Sequence, residues 1–338
     1  MVKWESRVED MERLKILITG GTGFVGSNLV RCFYKGGHDI AMTMRTDSNM
    51  WRISDLSKNI RIFNTDLTDK NEIMSTFTSF KPDIIINTVA YGGYHFETDV
   101  SKIISVNFNG TINLVESFLK SSAELLINTG SSSEYGLKDS PMSENSLLEP
   151  IGAYSVSKAA STLYSRSRSI ETGRKIITFR PFSVYGYFEE AHRLVPHVIL
   201  SLLKKRNGLM KNPNSVRDFI YIDDVFSAYE KIVHERDKIM SGEIFNLGTG
   251  VESSVMKVVK ILESVSGNKL NIEWQHGNER IGDKATRWVS DMSKMKSALN
   301  WIPKYSLEEG LSRTYDWFKD NISKYEVIEN SKFERLGK

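Results

Sequence analysis

The sequence predicts an α/β protein with a doubly wound parallel sheet and a smaller C-terminal α/β lobe. Three observations lead to this fold class. Between Leu14 and Arg180, six short apolar runs alternate with longer amphipathic stretches, the order of parallel strands joined by covering helices. A glycine triplet directly follows the first run, and the alternation loosens after Arg180. Together these features indicate a sheet of the Rossmann type.

The six apolar runs are of the length and composition of buried strands. They are Lys15–Thr19, Asp39–Met44, Ile60–Asn64, Ile84–Thr88, Glu124–Thr129 and Lys175–Arg180. The stretches between them carry apolar residues at helical spacing and predict right-handed crossover helices. Examples are Gly26–Lys35, Asp69–Phe80, Val100–Ser121 and Ala153–Glu171.

The domain boundaries follow from this change of pattern. We assign residues 14–182 to the Rossmann domain, to which some later segments can return, and residues 183–325 mainly to a substrate-binding lobe. The short runs Ile244–Leu247 and Leu270–Trp274 are placed in that lobe. Residues 1–13 and 326–338 are interpreted as terminal extensions.

Composition narrows the class of protein. Among 338 residues, 45 basic side chains nearly balance 42 acidic ones without long runs of one sign, so we expect no nucleic-acid partner. No segment reaches the roughly 18 apolar residues of a membrane span, and the N-terminus has no apolar signal region. Cys32 is the single cysteine, which excludes an internal disulfide and favours a core position. We expect a cytoplasmic protein with neither a membrane partner nor a metal site.

The glycine triplet predicts a dinucleotide site. Gly20, Gly23 and Gly26 stand between a predicted strand and a predicted helix, where glycine allows a tight turn and close approach of a pyrophosphate. Phe24 and Val25 open the helix, whose free N–H groups attract phosphates. A tight turn without a ligand is the alternative reading.

The end of the second strand bears on which nicotinamide cofactor is bound. Arg45 stands where NAD-preferring sites place an acidic residue, and an arginine suits a 2′-phosphate, so NADP is favoured. Ser48 is a further expected contact. NAD stays possible, because Asp47 lies two residues on and Arg45 can equally be an ordinary exposed cation.

Asp66 and Leu67 follow the third strand and are candidate adenine contacts. A helix N-cap at Asp66 or Asp69 is equally compatible with the sequence.

A tyrosine and a lysine suggest acid/base chemistry. Tyr154 and Lys158 are four residues apart on a predicted helix and therefore share a face. The lysine ammonium would lower the pKa of the tyrosine, ordinarily about 10, toward a range useful for proton transfer. Ser131 follows the fifth strand and can hold the reacting oxygen. The alternative is that the Ser131–Ser133 cluster is only a serine-rich turn.

Seven segments occur in an order that resembles the extended short-chain dehydrogenases/reductases that modify nucleotide sugars. They are GGTGFVGSNL, NTVAYGG, TGSSSEYG, YSVSK, RPFSVYG, RDFIYIDD and FNLGTG, spread from about Leu14 to about Leu311. The resemblance implies a triad of Ser131, Tyr154 and Lys158, with hydride passing between nicotinamide and the sugar C4. It also implies cofactor contacts at Val89, Ala90, Tyr91, Asn107, Tyr154, Lys158, Pro181 and Val184.

Departures from the family patterns discriminate between its members. Members similar to 4,6-dehydratases carry a glutamate at the position of Ser133, and those that perform 3,5-epimerisation carry a cysteine there with a histidine in a later loop. His192 lies in a comparable loop, but Ser133 is a poor base for removing a proton from carbon. Both activities are therefore disfavoured.

For the substrate, the resemblance implies a nucleoside-diphosphate sugar with diphosphate contacts at Arg217 and Arg287. Arg217 can instead pair internally with Asp218, Asp223 or Asp224, and Arg287 can be a solvated cation. Sugar contacts are expected from Tyr94, His95, Ser132 and Ser133, although His95 can equally be a buried structural histidine.

The helices over Val100–Ser121 and Ala153–Glu171 predict a homodimer by analogy with the family. Three functions stay open. The first is an NADP-using C4 ketoreductase or dehydrogenase, the second a 4-epimerase with tightly bound NAD, and the third a non-catalytic dinucleotide sensor, which the Tyr154–Lys158 pair argues against.

Overall fold

The computed structural model describes residues 12–94, 96–275 and 287–326. The chain divides into two compact units. The first unit comprises Met1–Gly136, Leu148–Pro181 and Ala228–Phe245, and the second comprises Leu137–Leu147, Phe182–Ser227 and Asn246–Lys338.

The strands are, in chain order, β1 (Lys15–Thr19), β2 (Asp39–Met44), β3 (Arg61–Asn64), β4 (Ile84–Asn87), β5 (Leu125–Thr129), β6 (Lys175–Pro181), β7 (Ser183–Tyr185), β8 (Gly208–Lys211), β9 (Val216–Tyr221), β10 (Ile244–Leu247), β11 (Glu252–Ser254) and β12 (Ile272–Gln275). The α-helices are α1 (Phe24–Lys35), α2 (Lys70–Phe80), α3 (Val100–Ile104), α4 (Gly110–Phe118), α5 (Ala153–Thr172), α6 (Leu194–Leu203), α7 (Ile222–His234), α8 (Val255–Ser266), α9 (Ser293–Leu299) and α10 (Leu307–Asp320). A π-helix spans Ser105–Asn109, and 3₁₀ helices span Ser132–Tyr135 and Arg236–Lys238.

A seven-stranded sheet has the order β10-β6-β5-β4-β1-β2-β3. The strands from β6 to β3 pair in parallel. This arrangement confirms the predicted Rossmann-type fold, and all six predicted strands lie in the sheet within one residue of their predicted ends. Since parallel strands align their carboxyl ends, the residues that follow β1, β4 and β5 come together at one edge.

Sequence alternation explains how one face of this sheet is covered. Leu17, Ile85, Leu126 and Ile176 occupy one row of the sheet and are 0–1% exposed. They belong to a core with apolar residues of α2 and α4. Burial of such side chains contributes roughly 1.5–3 kcal/mol each, so this layer is a major source of stability.

One prediction about an element was wrong. Ile244–Leu247, which we had placed in the C-terminal lobe, is β10 and extends the large sheet beside β6. Nothing in a four-residue apolar run records its partner, because sheet order is set by contacts distant in sequence. The helix expected over Val100–Ser121 is present, and α3, the π-helix and α4 follow one another in it without a break.

The second unit has its own sheets and core. Strand β9 pairs antiparallel with β11 and parallel with β7, and β12 pairs in parallel with β8. The carboxylate of Asp218, which is 0% exposed, accepts hydrogen bonds from Thr249, Gly250 and Ser290. This buried charge therefore fixes two loops of the unit.

Cys32 is buried in α1 as a free thiol, as expected. Among the described residues, no helix is both long enough and apolar enough to cross a bilayer.

Candidate functional site

The glycine-rich turn between β1 and α1 has strict steric requirements. Gly20 has φ +75°, a left-handed conformation that favours glycine. A methyl group at Gly26 would lie 2.6 Å from Thr88 Oγ1 and closer still to the Gly20 carbonyl oxygen. At Gly23 the nearest atom to such a methyl group would be 3.3 Å away. The protein itself therefore requires glycine at the first and third positions, while a methyl group at Gly23 would make one tight contact, with the Gly20 carbonyl oxygen.

The N-terminus of α1, next to Gly23, has the chemistry that suits a phosphate group. Helix α1 begins at Phe24, followed by Val25, and no side chain caps it at Gly23. The partial positive charge of a helix N-terminus is thus available to a phosphate group.

A polar row at the carboxyl ends of three strands supports the turn, and we did not predict it. Thr19 Oγ1 donates to Asn87 Oδ1 at 2.7 Å, and Asn87 Nδ2 donates to Asn128 Oδ1 at 3.0 Å. Thr88 Oγ1 donates to the Thr19 carbonyl at 2.7 Å. The asparagines that end the apolar runs IIIN and LLIN were the available signal, because a buried amide needs partners.

Arg45 and its neighbours form one turn after β2. Arg45 Nε lies 3.1 Å from Asp47 Oδ1, and the Arg45 N–H donates to Ser48 Oγ at 3.1 Å. The side chains of Arg45 and Asp47 are 40% and 75% exposed. The two residues that favoured different cofactors are therefore partners in a surface ion pair, which is worth little in water.

The segment after β3 contains both candidate caps. Asp69 accepts from the N–H groups of Asn71 and Glu72 and is the N-cap of α2. Asp66 instead accepts from the N–H and hydroxyl of Thr68, both at 2.8 Å. Leu67 packs in the core, and its carbonyl accepts from Asn113 Nδ2 at 3.0 Å.

Asn107 lies in the π-helix and ties the loop after β4 to α5. Its Oδ1 accepts from the Tyr91 N–H at 2.8 Å, while Nδ2 donates to the Tyr91 carbonyl at 2.7 Å and to Ser157 Oγ at 2.9 Å. Both amide hydrogens are thus used within the protein. Asn107 positions the loop and leaves no donor of its own for a cofactor in this conformation.

That loop, which contains Val89, Ala90 and Tyr91, continues along Tyr154. A methyl group at Gly93 would lie 3.8 Å from Tyr154 Cε2, an ordinary van der Waals distance. The Gly93 backbone therefore lies next to the Tyr154 ring. Glu97, which we did not predict, holds the loop by accepting from the N–H groups of Gly92 and Tyr94. The Tyr94 ring stacks on Phe96. His95 lies outside the described residues.

The serine cluster after β5 opens the 3₁₀ helix. Ser131 is its N-cap and accepts from the Ser133 N–H at 3.1 Å, while the two hydroxyl groups lie 2.8 Å apart. Ser132 is 6% exposed, whereas Ser131 and Ser133 are partly exposed. The turn therefore presents two coupled hydroxyls to its surroundings.

Lys158 joins α5 to the strand that leads into this turn. Its Nζ donates to the Thr129 carbonyl at 2.6 Å, two residues before Ser131, and the residue is 4% exposed. Burial lowers the pKa of Lys158 to about 8, and the nearby Glu134 carboxylate acts in the opposite direction. Tyr154 lies one helical turn earlier, and its carbonyl accepts from Ser157 Oγ at 2.8 Å. The fold thus brings Lys158 to the turn that carries Ser131.

A buried ion pair lies behind the serine turn and was missed from the sequence. Glu134 Oε2 is 2.7 Å from Arg180 Nε, and the two side chains are 0% and 2% exposed. The signals in the sequence were the charged residues Glu134 in SSEYG and Arg180 in FRPF. No local pattern shows that these two residues form a pair.

Two further predicted cofactor contacts lie in different units. Pro181 ends β6 in the first unit, and Val184 lies in β7 of the second unit opposite Ile220.

The two arginines predicted to bind diphosphate both have partners within the protein. Arg217 Nη1 donates to Ser215 Oγ and to the Val216 carbonyl, each at 2.7 Å, and the guanidinium lies 5.9 Å from the Trp288 ring centre. Arg287 Nε is 2.7 Å from Glu252 Oε1. Arg287 therefore forms an ion pair with Glu252, whereas the alternative considered from the sequence was an unpaired cation in solvent.

Within the described part of the chain, no three His, Cys, Asp or Glu side chains form a cluster able to hold a metal ion.

A sequence profile of the NAD dependent epimerase/dehydratase family matches residues 16–248. The chain belongs to this family and is an enzyme of the extended short-chain dehydrogenase/reductase type, which confirms the resemblance seen in its motifs.

Relatives with different names align with most of the chain. A UDP-glucuronate 4-epimerase of Thermodesulfobacterium geofontis (strain OPF15) is 27% identical over 318 residues, covering 90% of this chain and 96% of that protein. A putative GDP-L-fucose synthase 2 of Arabidopsis thaliana is 28% identical over 326 residues, covering 91% and 92%. The crystal structure of dTDP-glucose 4,6-dehydratase from Bacillus anthracis str. Ames in complex with NAD has a TM-score of 0.83 at 23% identity, covering 93% and 99%.

Proposed function

We propose that this protein oxidises or reduces C4 of a nucleoside-diphosphate sugar, as a 4-ketoreductase or a 4-dehydrogenase. The observation that carries this proposal is the buried Lys158, anchored at the Thr129 carbonyl one helical turn from Tyr154. Tyr154 and Lys158 are four residues apart and therefore share a face of α5, and the residue that Lys158 binds lies two positions before Ser131.

The residues divide the chemistry between them. Tyr154 exchanges a proton with the oxygen on C4, and the Lys158 ammonium stabilises the phenolate form. Ser131 holds the same oxygen by a hydrogen bond. The nicotinamide supplies or receives hydride when bound, and the turn through Gly20, Gly23 and Gly26 fits its pyrophosphate.

NADP is the favoured cofactor in this proposal. The exposed Arg45–Asp47 pair contributes little energy, so a doubly charged 2′-phosphate can displace Asp47 from Arg45. NAD stays possible.

Dehydration is disfavoured by the position of the acidic group in the serine turn. Ser133 stands where the 4,6-dehydratase pattern has glutamate, and the neighbouring Glu134 carboxylate is 0% exposed and bound to Arg180. A carboxylate so held cannot reach carbon atoms of a substrate.

For the substrate, we propose that Arg217 and Arg287 bind the diphosphate, because guanidinium groups pair well with phosphate oxygens. Tyr94, His95, Ser132 and Ser133 are the proposed sugar contacts. Arg217→Ala should raise the Michaelis constant for the nucleotide sugar at least tenfold with a smaller change in kcat. An unchanged Michaelis constant would assign Arg217 a structural role only.

A second candidate is a 4-epimerase that keeps NAD bound, and the similarity to a UDP-glucuronate 4-epimerase favours it. The two candidates are separated by denaturing the purified protein and identifying the nicotinamide released. Near-full occupancy by NAD(H) together with conversion between C4 epimers supports the epimerase. An empty site that binds NADPH and reduces a 4-keto sugar supports the reductase.

We further propose a cytoplasmic homodimer formed through α4 and α5. Val156, Leu163 and Ile170 are 45%, 53% and 55% exposed, and their spacing of seven residues places them on one side of α5. Leu163→Glu should convert a dimer to a monomer in light scattering. A monomeric wild-type protein would refute this part of the proposal.

A further inference from the structure

The Glu134 carboxylate, buried behind the serine turn, connects three elements of the first unit. Oε1 accepts from the Ser131 N–H at 2.8 Å and from Thr162 Oγ1 at 2.9 Å. Oε2 accepts from Arg180 Nε at 2.7 Å. These donors belong to the turn after β5, to α5 and to β6 respectively.

The backbone around the carboxylate is shaped to admit it. A methyl group at Gly130 would collide with Glu134 Oε1 and would lie 3.0 Å from Thr162 Oγ1. The Gly130 N–H donates to the Phe179 carbonyl at 2.7 Å, which holds this segment against β6. The Glu134 carboxylate is therefore packed within the turn, because glycine at position 130 leaves the space that the carboxylate fills.

Two of the three connected elements, the turn after β5 and α5, bear the proposed triad. Ser131 is the N-cap of the turn, and Thr162 lies one helical turn after Lys158 on the same face of α5. We propose that Glu134 is a positioning residue for the C4 chemistry, which fixes Ser131 relative to the helix α5 that carries Tyr154 and Lys158. This inference rests on the proposed function.

Arg180, Tyr135 and Tyr229 are titratable groups near this carboxylate and Lys158. Arg180 also donates to Tyr135 Oη at 3.1 Å, and its guanidinium lies 4.8 Å from the Tyr135 ring centre. Tyr229 shares a hydrogen bond with Thr129 Oγ1. Burial raises the pKa of Tyr229, so this phenol is neutral near pH 7. Burial also raises the pKa of Glu134 itself, and the Arg180 charge opposes that effect.

Loss of the carboxylate should change the charge on Lys158. Burial disfavours the ammonium, and Glu134 is the opposing influence. A charge partner at such a site shifts a pKa by about one unit or more. Without it, Lys158 should lose its proton at lower pH, and the Tyr154 phenolate should lose its stabilising cation in the same range.

The experiment compares Glu134→Gln with the wild-type enzyme in two ways. Lysine side-chain NMR of the uniformly labelled protein follows the titration of Lys158, which is assigned through Lys158→Met. Steady-state kinetics follow kcat as a function of pH. We expect the Lys158 pKa and the alkaline limb of the kcat profile to move down together by about one pH unit or more. The Michaelis constant for the sugar should change less than about twofold, since Glu134 is buried away from ligands.

Glu124→Gln is the matched control. Glu124 pairs with Arg236 at the opposite end of β5 and is 57% exposed, so its loss should leave both titrations unchanged. Glu134→Gln leaves Arg180 buried without its partner, which threatens folding. The double variant Glu134→Gln/Arg180→Met removes the buried Arg180 charge together with its partner, and in it too the Lys158 pKa should fall.

A folded Glu134 variant with an unmoved Lys158 titration would overturn the proposal. So would lower activity with an unchanged pH profile, which would mean a purely structural role. If the wild-type enzyme turned over no nucleotide sugar, the proposed function would fail while the NMR titration still tested the link between Glu134 and Lys158.

Discussion

Gly26→Ala should damage the fold of the cofactor turn before any cofactor is considered. The added methyl group would meet Thr88 Oγ1 at 2.6 Å and the Gly20 carbonyl oxygen at an even shorter distance. Ordinary carbon–oxygen contacts are longer by roughly 1 Å, so α1 must move away from β1 and β4. Overpacking of this kind costs about 1–3 kcal/mol.

The assay is urea unfolding of the cofactor-free protein, followed by titration with NAD(H) and NADP(H). We expect Gly26→Ala to lower the free energy of unfolding by about 1–3 kcal/mol. Gly23→Ala is the matched control, because its methyl group would come no closer than 3.3 Å to another atom. It should keep near-normal stability but weaken cofactor binding at least tenfold, since the methyl group would occupy the space proposed for the pyrophosphate. Equal stability of the two variants would refute the steric argument, and unimpaired cofactor binding by Gly23→Ala would refute the placement of the pyrophosphate.

Three further predictions concern the proposed acid/base, the cofactor and a buried carboxyl. Tyr154→Phe should lower kcat by at least 100-fold with little change in melting temperature, and near-normal turnover would remove Tyr154 from the mechanism. Arg45→Ala should weaken NADP binding more than NAD binding in calorimetry, and an equal loss for both would remove the argument for NADP. Burial raises the pKa of Glu189 from 4.5 to about 8, so its stabilising contribution is complete below pH 4.5 and is lost as pH rises through 8. Relative to Glu189→Gln, the wild-type protein should therefore lose stability on the order of 4 kcal/mol between pH 4.5 and pH 9, and parallel pH profiles would contradict this prediction.

The parts of the fold that repeat local patterns could be predicted from the sequence. The runs KILIT and DIAMTM form β1 and β2 with the predicted ends. A continuous apolar run between polar segments is favoured as a strand that is buried on both faces of a parallel sheet. Gly20 and Gly26 were predictable from local pattern as well, because the left-handed φ of Gly20 and the contact of Gly26 with the Gly20 carbonyl arise within one strand–turn–helix unit, whereas the contact with Thr88 does not.

Features that depend on distant partners could not be predicted. The run IFNL has the composition of a strand, but its position beside β6 depends on a contact between segments about 65 residues apart in sequence. In the π-helix, Asn107 bonds to both Tyr91 and Ser157, which lie 16 and 50 positions away in the sequence. The Glu134–Arg180 pair likewise joins residues separated by 46 positions.

The central claim is that Tyr154 assists hydride transfer at C4 of a nucleotide sugar. The most direct measurement is to incubate the enzyme with NADPH or NADH deuterated at the nicotinamide C4 and with 4-keto nucleotide sugars, and to locate the label by NMR. We predict deuterium at the sugar C4 with the wild-type enzyme and at least 100-fold slower labelling with Tyr154→Phe. Absence of label at C4 with every sugar, or equal labelling by the two enzymes, would contradict the account.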